Sequence, residues 1–98
     1  MVISQDGAAG TPHAQRYLKQ LGKHWSHRFK VVEENGVVLV DFGEGSSVTM
    51  SATDRQMSFS ICGELEELAI LRNVVEEHVN RFAFKEGALR YSWESVTE

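Results

Sequence analysis

The sequence predicts an α+β fold: two helices packed on one face of a mostly antiparallel sheet of four to five strands. Apolar residues recur at helical spacing after residue 11 and again after residue 64, while strict apolar–polar alternation fills the stretch between. A period that switches from 3.6 to 2 and back is what helices lying over a half-buried sheet require. Two tight-turn signals, Asn35-Gly36 and Gly43-Glu44-Gly45, separate the alternating runs and join them as hairpins.

Residues 1–10 hold neither period and are expected to be flexible, or to add a short edge strand at Val2-Ser4; the whole of 1–98 reads as a single domain. Thr11-Pro12 reads as a helix start, with Thr11 as N-cap and Pro12 at the first helical position, where its missing N–H costs nothing. From there Ala14, Tyr17, Leu18, Leu21, Trp25 and Phe29 share one arc of an amphipathic helix ending near Arg28.

Phe29-Lys30-Val31-Val32-Glu33 leads into the Asn35-Gly36 turn, after which Val38, Val40 and Phe42 share a strand face. Val48, Met50 and Ala52 alternate with serines and Thr49, and Met57, Phe59 and Ile61 alternate with Ser58, Ser60 and Cys62. This is an antiparallel meander with one buried face. A second helix is expected from Gly63-Glu64, its acidic first turn matching the positive end of the dipole. Leu65, Leu68, Leu71, Val75, Val79 and Phe82 form its stripe, and Gly87 stops it. Arg72 falls inside that stripe, which favours a structural ion pair over a ligand clamp. Leu89, Tyr91 and Trp93 alternate as a closing strand.

Composition bounds the function. Ninety-eight residues at 42% hydrophobic content support one modest core, and a lone cysteine leaves no intramolecular disulfide and no CxxC motif. A net charge of -4 argues against a nucleic-acid partner. No window approaches the roughly 18 apolar residues of a membrane span, and the first ten residues lack a signal-peptide apolar region, so no membrane and a cytoplasmic location are expected. The charge is nevertheless uneven: five basic residues stand against one acid up to Val32, and five against thirteen from Glu33 onward. Three of the four histidines lie in the basic part.

On the first helix His13, Arg16, Gln20, His24 and His27 line one flank beside the apolar arc. Residues three or four apart on a helix are neighbours, about 5–6 Å between Cβ atoms, so His24 and His27 are able to converge. His78 sits at the edge of the second helix's stripe, facing the first helix if the two pack side by side. The ordinary reading is that each histidine is a boundary residue with its ring packed and a nitrogen bonded to backbone or water. Two functional readings stand beside it: a site for an anion or small ligand built with Arg16 and Arg28, and a metal site of His24, His27 and His78. HxxH without the HExxH glutamate is a weak zinc signal, since catalytic zinc takes three protein ligands. Cys62 has no histidine near it in sequence, the serines lack a GxSxG elbow, and Glu33-Glu34 and Glu76-Glu77 read as solvated faces.

The run Tyr17-Leu18-Lys19-Gln20-Leu21-Gly22-Lys23-His24-Trp25-Ser26-His27-Arg28-Phe29, the later run Val74-Val75-Glu76-Glu77-His78-Val79-Asn80-Arg81-Phe82-Ala83-Phe84, and the closing Trp93 together resemble bacterial domain of unknown function family 2218. The likeness covers about Gly10 to Trp93, with His24, His27, His78, Arg81 and Trp93 at positions characteristic of the family. Gly22 departs from it, standing where many members have cysteine, which removes support for a Cys–His site on this helix. The resemblance implies a TATA-box-binding-protein-like α+β layer similar to the C-terminal domain of phosphohexomutases. It also implies an association with siderophore-interacting, flavin-dependent ferric reductases, to which such domains are fused.

The expectation is a binding or accessory module of iron/siderophore metabolism, not an enzyme. Its ligand-binding residues are Arg16, His24, His27, Arg28, His78 and Arg81, and its partner is a small anionic ligand or a ferric-siderophore reductase. One alternative is a metal- or anion-dependent enzyme using the histidine cluster, with a metal ion as cofactor. Another is a structural domain that forms a homodimer through the open sheet face, where Val37 and Leu39 sit among Ser47, Thr49, Ser58 and Ser60.

Overall fold

The computed structural model describes residues 2–96. Strands β1 (Ile3–Gly10), β2 (Lys30–Glu34), β3 (Val37–Gly43), β4 (Ser46–Ala52), β5 (Gln56–Gly63) and β6 (Tyr91–Trp93) form one sheet in the order β2-β3-β4-β5-β1-β6. Every pairing is antiparallel. Helices α1 (Ala14–Trp25) and α2 (Leu68–Phe82) pack on it. Among the described residues the sheet thus has six strands where four to five were expected. No helix among the described residues is long and apolar enough to cross a membrane.

The added strand comes from the segment expected to be flexible or an edge. β1 is an inner strand, paired with β5 over eight residues and with β6 over three. Its alternation is real but chemically muted: Ile3, Gln5, Gly7 and Ala9 point to the helices, and two of these four are small. Gly7 is required by its neighbour, because a Cβ there would lie 2.3 Å from Cε3 of Trp93.

The meander follows its turn chemistry. Asn35 and Gly36 take φ of 54° and 80°, the left-handed pair that a type I′ hairpin needs. Gly43, Glu44 and Gly45 likewise have positive φ in the next turn. Val38, Val40, Val48, Met50, Met57, Phe59 and Ile61 are all buried beneath the helices. On the opposite face Val32, Val37 and Leu39 remain exposed, with Val32 directly across from Leu39.

α1 buries Ala14, Tyr17, Leu18, Leu21, Gly22 and Trp25, as its period requires. Its ends differ from expectation. His13, not Thr11, holds the N-cap position, and Thr11 Oγ1 instead accepts from the His13 amide at 3.1 Å and donates to Glu86 Oε2 at 2.7 Å. The helix stops at Trp25 rather than near Arg28. There Ser26 Oγ donates back to the Lys23 carbonyl at 2.7 Å and the chain tightens into three-residue turns, with Arg28 N donating to the Trp25 carbonyl at 3.0 Å.

α2 begins one turn later than its stripe suggests, after a 3₁₀ turn at Leu65–Glu67, and Leu65 is exposed rather than buried. Arg72, read as half of an ion pair, donates to the Gln5 amide oxygen at 2.6 Å, and Gln5 passes its own N–H to the Glu94 carbonyl at 2.7 Å. Glu76, read as a solvated acid, is half-buried and accepts the Trp93 indole N–H at 2.7 Å. Tyr91 donates to Asn80 Oδ1 at 2.9 Å; burial pushes its hydroxyl pKa up, so it stays a donor. Through Trp93 and Tyr91 the short β6 strand locks α2 at a defined height over the sheet.

Candidate functional site

The C-terminal end of α1 and the middle of α2 meet above the β3–β4 turn, and between them opens a cavity of about 720 Å³. Sequence chemistry makes each wall. Trp25 is the last residue of α1's apolar stripe, and Phe29 is the first apolar side chain after the helix ends. Phe42 arrives by a different route. The β3–β4 register slips between Asp41 and Gly43, leaving Phe42 as the extra residue of a bulge, and Asp41 Oδ1 accepts from the Gly43 amide at 2.8 Å. Bulges re-aim side chains, and this one seats Phe42 edge-on to both Trp25 and Phe29, with ring centroids 5.5 and 4.9 Å apart.

The rings continue toward α2. Trp25 lies 5.1 Å from His78, His78 lies 5.5 Å from His24, and His24 lies 6.0 Å from Phe82. Six rings from α1, the turn after it, β3 and α2 therefore run in one chain, five of them lining the cavity. Arg28 and Arg81 line the same space and supply permanent positive charge; Glu44 of the β3–β4 turn is the acid on its wall.

The two facing imidazoles are not equivalent. His78 Nδ1 lies 2.7 Å from the Val74 carbonyl four residues back, so Nδ1 carries the proton and donates. In the neutral ring that leaves the Nε2 lone pair open. The pKa of His24 is held below the ordinary 6.5, first by partial burial of its ring and then by the positive neighbours His78, Arg81, His27 and Arg28. Arg28 and Arg81 are thus fixed cations on a wall that also carries Glu44, and the charged form of His24 is disfavoured beside them.

Five of the six expected ligand-binding residues, His24, His27, Arg28, His78 and Arg81, come to this one cavity. Arg16 does not. Eight residues before His24, it lies about 12 Å away along the helix axis, where it borders a separate cleft with Lys19, Glu33 and Val38. Among the described residues no group of three or more His, Cys, Asp or Glu is placed to hold a metal ion, the set of His24, His27 and His78 included. Sequence reasoning missed Trp25, Phe29 and Phe42 as cavity walls. Their apolar character, and for Phe42 its place on the Val38 and Val40 strand face, marked them as core.

A family model described as "Uncharacterized protein conserved in bacteria (DUF2218)" matches residues 7–94. Among solved structures, the chain is similar to the NMR structure of PA4090 from Pseudomonas aeruginosa. The TM-score is 0.81 and the identity 28%, covering 98% of this chain and 99% of that one. No curated protein matches.

Proposed function

We propose a ligand-binding role for this chain, which belongs to the bacterial family DUF2218 of uncharacterised proteins: its cavity takes a small anionic ligand with an apolar or aromatic body. The observation that carries this is the union, in one cavity of about 720 Å³, of an aromatic wall from Trp25, Phe29 and Phe42 with the guanidinium groups of Arg28 and Arg81. Apolar walls with a few charged groups are the usual make-up of a small-molecule site. Arginine matches the flat, two-oxygen geometry of a carboxylate and also stacks on rings. We place the domain in the cytoplasm as an accessory of iron/siderophore handling beside a ferric-siderophore reductase, a setting whose aromatic, oxygen-rich ligands suit such walls.

Salicylate, with its neutral amide salicylamide as control, tests the reading by NMR titration. Salicylate is expected to shift the Trp25 indole, the His24 and His78 rings and the Gly43 amide, and salicylamide to bind at least tenfold more weakly. Charge-assisted hydrogen bonds contribute about 1.5–3 kcal/mol each, so Arg28→Ala with Arg81→Ala should weaken salicylate binding by tenfold or more. Equal binding of the neutral amide, or shifts confined to another surface, would overturn the reading.

A further inference from the structure

We propose that the cavity couples anion binding to protonation of His24, so that the domain captures its ligand together with one proton and releases both as the pH rises. This rests on the anion-binding reading above and adds its regulation.

The arrangement of charges around His24 makes the case. From the turns that follow α1, His27 and Arg28 line the cavity with it; from α2, His78 and Arg81; and from the β3–β4 turn, Glu44. His78 is the nearest titrating neighbour, with ring centroids 5.5 Å apart, and its only nitrogen open to a second proton is Nε2, because Nδ1 already donates to the Val74 carbonyl. A proton added to His24 in the empty cavity therefore meets two guanidinium groups and two imidazoles, with Glu44 the one carboxylate in the lining. A ligand carboxylate lodged beside the guanidinium groups adds a second negative charge to that of Glu44. By reciprocity, whatever the anion does for the proton, the proton does for the anion.

Two imidazoles this close resist charging together, which limits the coupling to one proton. Burial and positive neighbours hold the His24 pKa down in the empty site, and a bound anion raises it. Between the empty and occupied values, one linked proton changes Kd by up to about tenfold per pH unit, tighter on the acid side.

Salicylate keeps its single charge from about pH 5.5 to about pH 8, the range in which imidazoles titrate, so a pH-dependent Kd belongs to the protein. Isothermal titration of the full chain across this range, in two buffers of different ionisation enthalpy, reads the proton uptake directly. The expected result is a Kd that rises severalfold per pH unit, with proton uptake on binding. That slope should flatten in His24→Gln and persist in His13→Gln, at the opposite end of α1. NMR of the His24 ring should show an upward-shifted titration in the salicylate complex. A pH-independent Kd with binding intact, or a slope that survives His24→Gln, overturns the coupling and leaves the anion-binding reading standing. No binding at any pH overturns both.

Discussion

The Trp93 indole lies across Gly7 so closely that no side chain fits beneath it: a Cβ on Gly7 would stand 2.3 Å from Cε3, 2.6 Å from Cδ2 and 2.7 Å from Cζ3 of the ring. Because the same indole donates to Glu76 on α2, this one contact fixes the spacing between the β1–β6 pair and the helix above it. Gly7→Ala is expected to destabilise the fold by about 1–3 kcal/mol, the usual range for overpacking. Urea unfolding with Trp fluorescence checks it. An unchanged midpoint would show that the ring swings aside freely, and would sink the claim that Trp93 sets this spacing.

Gly22 should behave in the opposite way. It is buried in the interior of α1, its φ is ordinary, and a Cβ there would meet Val38 Cγ1 at 3.5 Å, a normal contact. Replacing a mid-helix glycine by alanine removes unfolded-chain freedom and contributes about 0.5–1 kcal/mol. Gly22→Ala is expected to raise the unfolding midpoint, and a loss of stability would mean that Val38 has no room to yield.

Acid should weaken the fold through Glu86. The Tyr17 hydroxyl and the Thr11 hydroxyl both donate to its Oε2, tying the start of α1 to the turn that follows α2. Tyr17's hydrogen bond is the main influence holding Glu86 below its ordinary 4.5, with Thr11 assisting against partial burial. A depressed carboxylate stabilises the folded state above the unfolded pKa, and that share is lost as pH falls through the folded value. Thermal unfolding from neutral pH down to about pH 3 should therefore show a smaller acid loss in Glu86→Gln and in Tyr17→Phe than in the parent. Parallel curves for all three proteins would contradict this.

His24 should titrate below 6.5 in the ligand-free protein, with burial the larger cause and positive neighbours the rest. Removing one of those neighbours, in Arg81→Ala, is expected to move its NMR midpoint upward without restoring it fully. High salt should act in the same direction, because it screens the charges and leaves burial untouched. For stability the sign follows from the lowered value: the unfolded chain binds the extra proton, so protonating His24 costs stability as pH drops through the ordinary 6.5 toward the folded value. A midpoint at or above 6.5 in the parent would remove the physical basis for a neutral His24.

Much of the architecture was legible because its causes are local. The stripe of Tyr17, Leu18, Leu21 and Trp25 specifies a helix and the face it buries. Asn35-Gly36 and Gly43-Glu44-Gly45 have the residues that positive φ demands, and so they turn where expected. The site was legible to the same depth: His24 and His78 lie on the helix flanks that spacing assigned to them, and five of six expected residues reach one cavity.

What failed depended on distant partners. β1 pairs with a strand more than forty residues away, from Ile3 opposite Gly63 to Gly10 opposite Gln56. Its Gly7 is explained by Trp93, and its Gln5 by Arg72 and Glu94. Read alone, such small and polar residues look like coil.

Sequence by itself thus determined which residues are apolar, where the chain turns, and that basic and imidazole groups crowd the end of the first helix, since these follow from side-chain chemistry and near neighbours. Only the tertiary structure decided that β1 is an inner strand, that Phe42 meets Trp25 edge-on, and that Arg16 lies outside the cavity while Arg81 lies within it. Those outcomes depend on which surfaces meet, and that is set by packing across the whole sheet, with no single stretch of residues specifying it.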